Sequence, residues 1–178
     1  NLVLDTVDVT GNVAQVCDGG GLWAFETTLT LSDVLFQDNW VGNSGGAIGM
    51  EYCGGTLVDV DIRDNWAYDD GGGIAMHRSP PTLSRVTVTG NDASGMGTSG
   101  GGGISMCSCD PIISQTVIAD NHSTIGGGVV CQTSNPLFEE VLIAGNTADE
   151  VGGGVYLYYL ADATFENAAI IGNSAAFS

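Results

Sequence analysis

Glu51, His77 and Cys107 offer an acid, a base and a nucleophile in that order, 26 and 30 residues apart. Set side by side by a fold, such a trio could carry covalent catalysis, the carboxylate orienting the imidazole and the imidazole activating the thiol. The sequence supplies no partner for the oxyanion that acyl transfer creates. A second grouping, Asp69 and Asp70 with His77, Arg78 and Asp110, holds the two carboxylates that glycoside hydrolysis needs. A lyase base is harder to find, since the three cations are all arginine (Arg63, Arg78, Arg85). Asp18, Asp69, Asp70, Asp149 and Glu150 could give oxygens to calcium. No D-x-D-x-D-G loop or G-G-x-G-x-D nonapeptide frames them, so metal binding stays unknown and no other cofactor is implied.

Binding without chemistry has its own candidates. Trp40 and Trp66 each follow an Asn, and paired exposed Trp rings can serve as a platform for sugar rings or as a protein hot spot. They could equally stack on each other and merely cover a corner. Tyr156, Tyr158 and Tyr159 form a second aromatic group with the same two readings.

The elements that must position these residues come from an internal repeat. An Asn preceded by Gly or Asp recurs as Asn12, Asn39, Asn65, Asn91, Asn121, Asn146 and Asn173, at intervals of 25 to 30 residues. Between them lie glycine runs closed by an aliphatic residue, from Gly19-Gly20-Gly21-Leu22 to Gly152-Gly153-Gly154-Val155. Counting back from each Asn, the third residue is apolar (Val9, Phe36, Ile62, Val88, Ile118, Ile143, Ile170), as is nearly every fifth and eighth. Apolar residues two apart, β-branched and bounded by Gly and Asn, signal strands. A unit of about 26 residues with a few short strands cannot bury its own apolar face, so units must stack into a continuous core.

The fold expected is therefore all-β: a right-handed parallel β-helix of about seven coils, a single domain over 1–178. The seven Asn should form a structural ladder of stacked amides, which also claims the Asn of the sequon Asn121-His122-Ser123. The glycine runs should turn the backbone at positive φ rather than cradle phosphate, since no Lys or helix follows them. Glu51, His77 and Cys107 then fall in one outward column, and Asp59 and Arg85 can pair across neighbouring coils.

Composition narrows the partners. With 21 acidic residues, no lysine and a formal charge of −18, clustered cations for nucleic acid or anionic membranes are missing. No stretch has the length of a membrane span. Cys17, Cys53, Cys107, Cys109 and Cys131 match no zinc pattern, leaving free thiols or one disulfide near Cys107, Cys109 and Cys131.

Phe36-Gln37-Asp38-Asn39 followed by Gly45-Gly46-Ala47-Ile48 resembles the FxxN and GGAI motifs of the chlamydial polymorphic outer membrane protein repeats, surface β-helices of adhesins and autotransporter passengers. The other coils relax these to a pattern shared with the pectate-lyase-like superfamily. The resemblance implies an extracellular or cell-surface module, adhesive or structural, with a glycan or surface receptor as partner. Both termini fall inside coils, which suggests a section of a longer protein or end-to-end self-association. The rival expectation is a polysaccharide-acting enzyme using Asp69, Asp70 and His77.

Overall fold

The computed structural model describes residues 1–95 and 100–177. Its strands form three parallel sheets of eleven, seven and six strands that wind as one right-handed parallel β-helix of about seven coils, with no helix among the described residues. The second coil shows the unit: Thr28–Gln37, Trp40–Val41 and Ile48–Glu51, each paired in register with its equivalent one coil away.

Side chains alternate inward and outward along each strand, and equivalent inward residues stack between coils. Leu31, Leu57, Leu83, Ile113 and Phe138 make one fully buried column, and Phe36, Ile62, Val88, Ile118 and Ile143 another. Ile48, Ile74, Ile104 and Val129 line the inside of the six-stranded sheet, with Met50, Met76, Met106 and Cys131 beside them. Each large buried side chain contributes on the order of 1.5–3 kcal/mol.

The alternation breaks once in the broad eleven-stranded sheet, where inward Leu31 and Val34 are three apart. Asp33 between them takes φ 52°, and its equivalents Thr6, Asp59, Arg85, Gln115, Glu140 and Asn167 do likewise. One left-handed residue turns the chain and restarts the pleat, so both strand halves present apolar side chains to the core. Arg85 and Asp59 meet there in an exposed bidentate pair at 2.7 and 2.8 Å.

The glycine runs divide their labour. In each run only the glycine three residues before the closing aliphatic has positive φ, as at Gly45 (φ 77°). The second is glycine for want of room: a Cβ on Gly46 would lie 2.1 Å from the carbonyl oxygen of Gly72.

The Asn column is a continuous ladder. Asn39 Nδ2 donates to Asn65 Oδ1 at 2.9 Å, Asn65 Nδ2 to Asn91 Oδ1 at 2.9 Å, and Asn91 Nδ2 to Asn121 Oδ1 at 3.0 Å. Asn12, Asn146 and Asn173 extend it at both ends. Each Oδ1 also accepts the backbone N–H of the preceding Asn, as Asn91 Oδ1 does from Asn65. Each central Nδ2 reaches a strand carbonyl as well, as Asn91 reaches Ile62. The central amides are almost fully buried with their hydrogen bonds made.

All five cysteines are free thiols. Cys107 points outward while Cys109 and Cys131 face the core: the left-handed Ser108 (φ 55°) turns Cys107 and Cys109 to opposite faces, and Cys109 and Cys131 lie in the core unbonded.

Candidate functional site

The outer face of the six-stranded sheet carries a trough of about 350 Å³ running across the first five of its strands. Its floor is the outward column Trp23, Gly49, Ala75 and Ser105, one residue per coil. Small side chains at three of these positions leave the depression. Trp23 stands at one end, 40% exposed, resting against Gly49, where a Cβ would come within 2.7 Å of its indole. Val130, next in the column, is buried at the other end.

One wall is the neighbouring column: Glu51, His77, Cys107 and Gln132. His77 Nδ1 lies 3.3 Å from Glu51 Oε1, a partly exposed pair. Cys107 faces His77 in register, but its thiol contact is Ser108 Oγ at 3.8 Å. The N–H of Ser108 donates to Gln132 O in the sheet ladder and so is not available to an oxyanion. The column thus joins an acid to a base and places the thiol one coil beyond without engaging it.

The opposite wall comes from the turns that enter the glycine runs. Asp18 Oδ1 accepts the N–H of Ser44 at 3.1 Å, Ser44 Oγ that of Asp70 at 3.4 Å, and Asp70 Oδ1 that of Gly100 at 2.8 Å. Each polar side chain caps the backbone of the next coil, a structural duty that leaves one oxygen on each carboxylate without a hydrogen-bond donor among the described residues. Burial pushes the Asp70 carboxyl above its ordinary range, opposed by the Gly100 bond and reinforced by Asp69 and Asp18. Asp18 is raised mainly by burial too, with Glu51 and Asp69 adding to it. Clustered carboxyls with raised values in a concave site mark a candidate functional region.

Of the residues singled out from sequence, Asp18, Glu51, Asp70, His77 and Cys107 line this trough. Asp69 is electrostatically coupled to Asp18 and Asp70. Arg78 lies outside, hydrogen-bonded to Tyr52 and over its ring, while Asp110 caps the N–H of Asn135 at 2.7 Å. Trp23 and Ser105 were not anticipated; their signal is the column one residue past the glycine-run aliphatic, small everywhere in the trough except at Trp23.

Trp40 and Trp66 lie elsewhere, stacked on the seven-stranded sheet with centroids 5.2 Å apart and planes within 4°. Both are half-buried and each covers one face of the other. Further along that column His122 sits between two carboxylates, Nδ1 3.5 Å from Asp92 and Nε2 3.2 Å from Asp149. Tyr156 and Tyr158 stack at 5.3 Å, and Tyr158 donates to Gln132 Oε1 at 2.9 Å. No group of three or more His, Cys, Asp or Glu side chains converges as a metal site among the described residues.

Residues 4–175 match the family model described as the right handed beta helix region. Comparison with curated proteins and with solved structures returns no match.

Proposed function

Because the chain belongs to the right-handed β-helix family, we propose that it is a glycan-binding module of an extracellular or cell-surface protein, holding a sugar chain in the trough without cleaving it. The observation that carries this reading is the trough itself, an open channel along the solenoid axis with an exposed Trp at one end and polar groups repeating coil by coil. Coil spacing of about 4.8 Å is close to the length of one sugar ring in an extended chain, so successive rings meet successive coils. Trp23 offers an apolar ring face while Asn43, Ser44 and Gln132 offer neutral hydrogen-bonding groups. The FxxN and GGAI likeness of the second coil supports the surface setting, and Trp40 with Trp66 forms a second candidate contact. Val3 and Val13 in the first coil, and Ile170 and Ile171 in the last, are exposed apolar residues that suit stacking on further coils or copies.

One observation favours a second reading, a polysaccharide hydrolase: the Glu51–His77 pair faces a wall holding Asp70. A single experiment separates the two. Binding of a glycan panel is measured by calorimetry with the wild type, Trp23→Ala and the Trp40→Ala/Trp66→Ala double variant, while reducing-end and unsaturated products are assayed with and without calcium. Binding lost in Trp23→Ala, with no product, supports the binding module. Product that vanishes in His77→Ala overturns it in favour of the hydrolase.

A further inference from the structure

We propose that the ligand of the trough is an amine-bearing sugar chain, a glycan whose units carry free ammonium groups. This rests on the glycan-binding reading and adds the substrate class.

Charge gives the first argument. Asp18, Asp70 and Glu51 line the trough and His77 is the one basic side chain in its lining. Arg63 and Arg85 lie on the broad sheet beside Asp61 and Asp59, and Arg78 is held by Tyr52. A uronate chain would bring its carboxylates against three others. Like charges at such close range repel, and an ammonium in the same place is attracted. The ring of Trp23 adds a surface on which a cation can rest.

The second argument is independent of charge. Ser105 is 8% exposed and forms the floor, yet among the described residues its hydroxyl has no hydrogen-bond partner. The comparable buried hydroxyls among the described residues are all engaged: Ser79 donates to His77 O, Ser134 to Gln132 O, Thr116 to Ser114 O and Ser123 to Ile125 O. A nearly buried hydroxyl open only to the trough is satisfied by a group that enters the trough. An ammonium or sugar hydroxyl held by Ser105 has Asp70 on one side and Glu51 with His77 on the other.

The test compares three oligosaccharides of equal length by calorimetry, at neutral and mildly acidic pH and at two salt concentrations. They are a glucosamine oligomer, its fully N-acetylated counterpart, and an oligogalacturonate with and without calcium. The glucosamine oligomer is expected to bind at least about tenfold more tightly than the acetylated one, with affinity falling as salt rises. Asp70→Asn, which keeps an oxygen for the Gly100 N–H, should weaken it about fivefold, and Ser105→Leu, which fills the floor, should abolish binding. Asp33→Asn with Asp61→Asn removes as much charge or more from the broad sheet and should leave affinity unchanged; an equal loss there would mean diffuse polyelectrolyte attraction and overturn the proposal. Equal binding of the acetylated oligomer, or tightest binding of galacturonate with calcium, overturns the amine preference but leaves glycan binding standing. No binding of any oligomer overturns both.

Discussion

The indole of Trp23 rests against Gly49 of the next coil, so closely that a Cβ at Gly49 would lie 2.7 Å from the ring. Gly49 does not have positive φ, and an alanine there meets the indole first and then the backbone N of Gly19 at 3.0 Å. Gly49→Ala should therefore push Trp23 out into solvent. The expected outcome is a red-shifted Trp emission and weaker ligand binding in the trough, with a stability loss of about 1 kcal/mol or less. Unchanged emission would show that the backbone yields instead of the ring.

The Asn ladder should be costly to interrupt in the middle and cheap at its end. Asn91→Ala removes the acceptor for the N–H and Nδ2 of Asn65 and the donor for Ile62 O, all buried. Asn65 Nδ2 keeps Phe36 O and Arg63 O, but its backbone N–H loses its acceptor, and the combined loss is about 2–4 kcal/mol. Asn12 is exposed and its side chain bonds only Asn39 Oδ1, so Asn12→Ala should cost about 1 kcal/mol. Denaturant midpoints of the two variants check this; equal losses would contradict the ladder's role.

His122 should make stability depend on pH. Burial acts to lower its pKa, but hydrogen bonds and charge from Asp149 and Asp92 outweigh this and raise it. A raised folded value means the stabilisation is complete below about pH 6.5, the unfolded value, and is lost as pH rises through the folded one. Asp149→Asn should lower the melting temperature in mildly acidic buffer and leave it nearly unchanged in alkaline buffer. Partial exposure limits the effect to about 1 kcal/mol or less. A loss larger at high pH would reverse the assignment.

Thiol labelling should divide the cysteines by face. Cys53, Cys109 and Cys131 are buried, and burial pushes the Cys109 and Cys131 thiols up to about 11 and about 12. Mass spectrometry after brief alkylation of the native protein should find Cys17 and Cys107 modified, and the other three only after unfolding.

The core was legible because it repeats: Phe36, Ile62 and Val88 recur three residues before an Asn, and the structure stacks them one on another. The bend at Asp33 was less so. Its column mixes Thr, Asp, Arg, Gln, Glu and Asn, because a left-handed corner on the surface constrains the backbone and leaves the side chain free. The gap of three between Leu31 and Val34 was its one trace. In the site, the register of Glu51, His77 and Cys107 followed from spacing, but the trough did not. Its far wall depends on turns between Asn and glycine run, whose lengths differ from coil to coil, so that Asp18, Ser44 and Asp70 align only once the backbone is folded. Ser105 lies on the outward face and is nearly buried, between Ala75 and Val130 on the adjacent coils. His122 was read for its place beside a ladder Asn, and its two carboxylate partners lie one coil to either side.

The trough floor carries a single residue per coil. Whatever lies along it is therefore measured in whole steps of about 4.8 Å, and the distance from Trp23 to Val130 fixes how many steps are available. Chain length, which flexible sites discriminate poorly, becomes a counted quantity here: adding or deleting one repeat would change the preferred ligand by one unit, as notches on a ruler do.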